Sequence, residues 1–176
     1  MTAGLTLISA ITHECGHEAC LFLSGGRGGR IRARLSGFGI RSTARGSYGE
    51  EILLYFSGPL ANFMLALIFS TLTVPLGDFA RIGAFINLAT GISNLLPVPG
   101  YDGYGIIRTL LDSRSAPRIF YRLLSGISLL FTSVASFLAL YLLSRVGDGY
   151  WIYAIFISAT LSLVSESLKK TNFEIS

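Results

Sequence analysis

Residues 4–24 read GLTLISAITHECGHEACLFLS, and the fold turns on how that stretch is read. Its only ionisable groups, the two cysteines aside, are His13, Glu14, His17 and Glu18, all within six positions. As a secretory signal it fails, because no basic residue opens it and ionisable groups interrupt its apolar run. As a helix it has the roughly 20 residues that cross a bilayer. Ionisable groups in such a span are costly and usually mark function. The rest of the chain supports a lipid setting. Of its 176 residues 51% are hydrophobic and only 14% charged, where a soluble domain carries about 25% charged residues. Mean hydropathy is +0.60. These values exclude a disordered chain, a coiled coil and an ordinary soluble enzyme.

Charge-free gaps locate further spans at 52–77, 82–101, 123–144 and 149–165. With 4–24 they predict an all-α polytopic membrane protein of about five transmembrane helices. The chain reads as one domain, 1–176, with a core at about 4–111 and accessory helices at about 117–168. All basic residues except Arg81 and Arg145 fall in the segments after the first and third spans or in the C-terminal tail. Positive charge stays on the cytoplasmic side, so the N-terminus is expected outside and the Arg-rich segments inside. The 14 Lys+Arg against 10 Asp+Glu do not indicate nucleic acid, since the arginines flank apolar runs and no groove-reading motif is present. Between the first two spans, Arg30-Ile-Arg-Ala-Arg-Leu35 alternates charged and apolar residues. Ser36-Gly37 follows as a turn signal. This predicts a small β-hairpin on the cytoplasmic side.

The chain has two histidines, and both sit in His13-Glu14-Cys15-Gly16-His17. Residues four apart share a helix face, so both imidazoles can point at one ion with Glu14 beside them. This H-E-x-x-H spacing serves zinc hydrolases, with the Glu as general base. Zinc needs a third protein ligand. The acids outside the motif are Asp78, Asp102, Asp112, Asp148 and five glutamates. Asp102 closes Asn94-Leu-Leu-Pro-Val-Pro-Gly-Tyr-Asp102-Gly103, on the same side as His17. Broken backbone at membrane depth persists only where protein or a cavity satisfies it, so an unwound segment would carry one carboxylate to the metal. Taken alone, Asp102 reads rather as a helix cap at a span end; beside the H-E-x-x-H motif it reads as the third ligand. Ser57-Gly-Pro-Leu-Ala-Asn62 in the second span reads as a close-packing motif with a polar cross-helix contact. Asn94 taken alone is a helix–helix hydrogen bond. Cys15 and Cys20 lack ligand spacing.

Together, H-E-x-x-H, Gly-Pro-x-Ala-Asn and Asn-x-x-Pro-x-Pro-x-x-Asp-Gly, in that order, resemble the site-2 protease family of intramembrane zinc metalloproteases. The resemblance covers about 12–111. It implies that His13, His17 and Asp102 bind one Zn2+. Glu14 would be the catalytic base and acid, and Asn94 would lie near the substrate carbonyl as an oxyanion donor. Only twelve residues precede His13, and neither a PDZ-like insert nor a regulatory domain is visible. The chain therefore looks most like the compact bacterial type typified by stage IV sporulation protein FB, without its CBS domain. Cys15 and Glu18 depart from the pattern and read as structural. The implied activity is hydrolysis of peptide bonds in or near transmembrane segments of membrane-bound substrates, in a bacterial cell membrane, with the active site towards the cytoplasm. The implied partners are a transmembrane protein substrate, the lipid bilayer and a membrane-embedded regulator. Two other readings use the same ligands: a zinc-binding membrane transporter and an inactive helix-binding module.

Overall fold

The computed structural model describes residues 2–25, 30–34, 37–41 and 47–146. Helix α1 (Thr2–Leu23) is followed by β1 (Arg30–Arg34) and β2 (Gly37–Arg41). These pair antiparallel, with Arg30 opposite Arg41 and Arg34 opposite Gly37. Gly37, half of the turn by sequence, is thus the first residue of β2. Helices α2 (Tyr48–Thr71), α3 (Thr73–Leu76), α4 (Asp78–Asn94), α5 (Asp102–Ser113) and α6 (Arg118–Val146) complete the order.

Local chemistry sets the helix ends. Ser47 caps α2 through a reciprocal box: Glu50 N–H donates to Ser47 Oγ at 3.2 Å, and Ser47 N–H donates to Glu50 Oε2 at 2.7 Å. This satisfies two amides that the helix start leaves free. Pro59 lies within α2. Helix α4 stops at Asn94 because Pro97 and Pro99 lie just ahead and cannot continue it. The non-helical segment 95–101 then delivers Asp102 as the first residue of α5. Carboxylates are favoured there by the unsatisfied amides of a helix N-terminus. The Ser128 hydroxyl of α6 meets the Pro97 carbonyl and ties that segment to the last helix.

Helices α1, α2 and α4 form the core, each through one stripe repeating about every four residues. The buried stripe is Leu5, Ser9, His13 and His17 on α1, and Leu54, Gly58, Asn62 and Ala66 on α2. On α4 it is Ala80, Gly83, Asn87 and Gly91. Small and polar side chains at the contact, with large apolar ones outside, is the arrangement of helices that associate in lipid. Ile11, Met64, Leu67, Phe85 and Leu129 all face outward and are exposed. A soluble monomer rarely exposes apolar surface on this scale.

The expectation of about five transmembrane helices is corrected. Among the described residues two helices are long and apolar enough to cross a membrane, Tyr48–Thr71 and Arg118–Phe137. Helix α1 has the length, at 22 residues, but four ionisable groups in six positions lower its hydropathy. The 82–101 gap is free of charge yet is not one helix, since α4 has 17 residues and ends at Asn94. The gap at 149–165 lies outside the described residues.

Gly103 lets α5 start against the turn before it. A Cβ at this position would lie 2.8 Å from the Leu96 carbonyl oxygen and closer still to the Leu95 carbonyl. Both neighbours are backbone, which has little room to shift. Gly103→Ala should therefore lose about 1–3 kcal/mol of stability, read as unfolding of the detergent-solubilised protein. Gly4→Ala, where a Cβ meets nothing within 4 Å, should show no loss.

Candidate metal centre

Helix α1 carries His13 and His17 on its buried stripe, with ring centroids 4.8 Å apart and planes at 87°. Helix α2 comes close enough to hold both rings because it presents Gly58 there. A Cβ on Gly58 would lie 2.7 Å from His17 Cε1 and 2.8 Å from His13 Cε1. Gly16 plays the matching part on α1, where a Cβ would meet Ala61 Cβ at 2.9 Å. The Gly-Pro-x-Ala-Asn segment is thus the wall against which the two imidazoles lie.

The outer nitrogen of each ring has a committed acceptor. His13 Nδ1 is 2.8 Å from Asn62 Oδ1, and His17 Nδ1 is 2.8 Å from the Leu54 carbonyl oxygen. A backbone carbonyl only accepts, so His17 carries its proton on Nδ1. Ser57 Oγ sits 3.3 Å from that nitrogen and donates to the Leu54 carbonyl at 2.7 Å. Asn62 turns its Nδ2 towards the Ser9 carbonyl at 2.9 Å. Its Oδ1 therefore faces His13, which also carries its proton on Nδ1.

Both Nε2 atoms are consequently lone pairs, and they point at one place. They are 3.2 Å apart, and Asp102 Oδ2 lies 3.0 Å from His13 Nε2 and 3.3 Å from His17 Nε2. His13, His17 and Asp102 are all buried, and Asp102 Oδ2 is buried without a hydrogen-bond partner. One imidazolium–carboxylate pair would satisfy one ring and leave the other nitrogen facing an acceptor. A cation satisfies all three donor atoms at once. Zinc bonds of about 2.0–2.2 Å set tetrahedral donors roughly 3.3 Å apart, which is close to the three distances observed. The donor set also suits zinc, with imidazole nitrogen and carboxylate oxygen as its usual ligands.

Glu14 follows His13 on α1. It is half-buried, within Coulombic range of His13, His17 and Asp102, and its Oε2 is buried without a partner. Asn94, the last residue of α4, donates Nδ2 to the Thr90 carbonyl at 3.0 Å. Cys15 is exposed and Cys20 half-buried. Among the described residues the cluster of close metal-type donors is His13, His17 and Asp102, within 4.8 Å of one another.

The structure adds residues that the motif reading passed over. Asn87 of α4 accepts from Asn62 Nδ2 through Oδ1 at 3.1 Å and donates to the Gly83 carbonyl at 2.9 Å. Ser9 Oγ lies 3.1 Å from Asn62 Nδ2 and donates to Thr90 Oγ1 at 3.0 Å. Their one sequence signal is polarity on an apolar helix face, where an amide needs a partner on a neighbouring helix.

No protein-family model and no curated protein matches the chain. Among solved structures it is similar to the Site-2 Protease from Methanocaldococcus jannaschii. The TM-score is 0.54 at 22% identity, over 90% of this chain and 72% of that one. The likeness shows a shared fold.

The purified wild type is expected to hold about one zinc per chain, measured by elemental analysis. His13→Ala, His17→Ala and Asp102→Ala should each lose it, because two of the three donors leave a weak site. Zinc retained in Asp102→Ala would move the third ligand elsewhere.

Proposed function

We propose that the chain is an intramembrane zinc metalloprotease of the site-2 type, cleaving peptide bonds in or near transmembrane segments of membrane-bound substrates. One observation supports this above the rest. Two imidazole lone pairs and a carboxylate oxygen converge in a buried space, with the unpartnered carboxylate oxygen of Glu14 beside them. A transporter or scaffold for zinc needs the ligands but has no use for that fourth group.

His13, His17 and Asp102 would hold the ion through Nε2, Nε2 and Oδ2. When bound, zinc supplies Lewis-acid chemistry, polarising a substrate carbonyl and making a water acidic near neutral pH. Glu14 Oε2 takes the proton from the attacking water and returns it to the departing amine nitrogen. Asn94 has two amide hydrogens, of which one is donated to Thr90. The other is available for the developing oxyanion.

Outward-facing apolar side chains on the helices support a site within a bilayer. We assign the Arg-rich segments around 27–45 and 108–122 to the cytoplasmic side of a bacterial cell membrane, with the catalytic centre towards that side. The link between α1 and α2 is too short for an inserted folded domain, which favours the compact bacterial branch. The substrate is a transmembrane protein that unwinds locally at the site, and a membrane-embedded partner regulates access.

The deciding comparison is cleavage of a membrane-anchored test substrate in reconstituted vesicles by wild type and Glu14→Gln. Removing the general base should lower the rate by about 10²–10⁴-fold while zinc stays bound. Undiminished cleavage by Glu14→Gln would remove Glu14 from the mechanism. Zinc binding without cleavage of any membrane-anchored substrate by wild type would favour a transporter or inactive module.

A further inference from the structure

The two candidate ligands on α1 are held in different ways. His17 is oriented in one step, by a backbone carbonyl that cannot turn round. His13 leans on Asn62, whose amide can in principle present either its oxygen or its nitrogen. If Asn62 presented nitrogen, His13 Nδ1 would have to accept, its proton would move to Nε2, and that nitrogen would face Asp102 and any cation with a hydrogen instead of a lone pair. The direction of one amide therefore decides whether His13 is a ligand.

That amide is held by a chain running across three helices. Asn87 Nδ2 donates to the Gly83 carbonyl at 2.9 Å, which fixes Asn87 Oδ1 towards Asn62. Asn62 Nδ2 donates to Asn87 Oδ1 at 3.1 Å and to the Ser9 carbonyl at 2.9 Å. Asn62 Oδ1 then accepts from His13 Nδ1 at 2.8 Å. Each donor points the same way along the chain, which ends on the Gly83 carbonyl and is held at Asn62 by a second backbone carbonyl, that of Ser9. Asn62 and Asn87 are fully buried, with 0% exposure, so water cannot replace a lost partner. Reversing the amide would set Asn62 Oδ1 against Ser9 O and Asn87 Oδ1, leaving acceptors facing acceptors in a dry interior. The partner of a ring nitrogen selects the tautomer, and partners of this kind raise metal affinity.

We infer that Asn62, aimed by Asn87 and the Ser9 carbonyl, is a positioning residue that fixes the proton of His13 on Nδ1 and so keeps Nε2 free for the metal. The metal part of this inference rests on the proposed zinc site; the tautomer part does not.

The test uses the full chain in detergent, labelled with ¹⁵N in its histidines, stripped of metal, at a pH where both rings are neutral. With two histidines in the chain, nitrogen NMR reads both tautomers, and His17 serves as the internal control. Wild type should show both rings protonated on Nδ1. In Asn62→Leu, His13 should shift towards the Nε2-protonated form that dominates free histidine, while His17 stays unchanged. Zinc affinity, measured by competition with a chelator, should fall by about 10–100-fold. Asn87→Leu removes one of the two acceptors that aim the Asn62 amide and should shift His13 in the same direction but less, with His17 again unchanged. His13 still protonated on Nδ1 in Asn62→Leu, with zinc affinity unchanged, would overturn the inference. So would an equal change at both rings in Asn62→Leu, because position 62 would then only hold the helices together. If wild type shows the stated tautomers but takes up no zinc, the proposed metal site falls and the tautomer assignment stands.

Discussion

Three hydrogen-bond acceptors held about 3 Å apart in a dry space repel one another unless a positive charge joins them. His13 Nε2, His17 Nε2 and Asp102 Oδ2 are in that position, and the rest of the core is arranged to keep them there. Gly58 removes the side chain that would push the rings apart. Gly16 lets α1 approach α2 at the level of the rings. Gly103 allows α5 to begin tightly against the turn that brings Asp102 in. The outer nitrogens are tied to Asn62 and to the Leu54 carbonyl, so the rings present lone pairs and nothing else.

The packing around this centre is inverted relative to a soluble domain. Ser9, Asn62, Asn87, Thr109, Ser128 and Thr132 are buried, while leucines, isoleucines and phenylalanines line the outside. Lipid makes that inversion stable, since apolar side chains gain little by leaving hydrocarbon and polar ones must find partners within the bundle. The same logic shelters α1. Its polar face, Ser9, His13 and His17, is taken up by partners on α2 and α4.

The sequence carried the site more legibly than the membrane topology. His13 and His17 are the chain's two histidines, and their spacing of four on a helix has few other uses. Asp102 stood out because two prolines and two glycines break the backbone around it, and the structure brings it to the two rings. Asn94 shows a bond to its own helix, and its part in the chemistry rests on proposal. Asn87 was invisible as a site element, for it matters through Asn62, a contact across 25 positions that no local pattern records. The span count failed for a definite reason: freedom from charge does not imply an unbroken helix. The 82–101 run contains a helix end and a proline-rich turn, and the 4–24 run concentrates its ionisable residues at the centre.

Zinc-edge X-ray absorption of the metal-loaded, detergent-purified protein addresses the central claim directly, because it sees the ligand atoms themselves. The structure predicts a shell of nitrogen and oxygen at about 2.0–2.2 Å, imidazole scattering from two rings and no sulfur. A sulfur shell at about 2.3 Å would put Cys15 or Cys20 on the metal, and scattering from fewer than two imidazoles would leave His13 or His17 out. Either result would contradict a centre built from His13, His17 and Asp102.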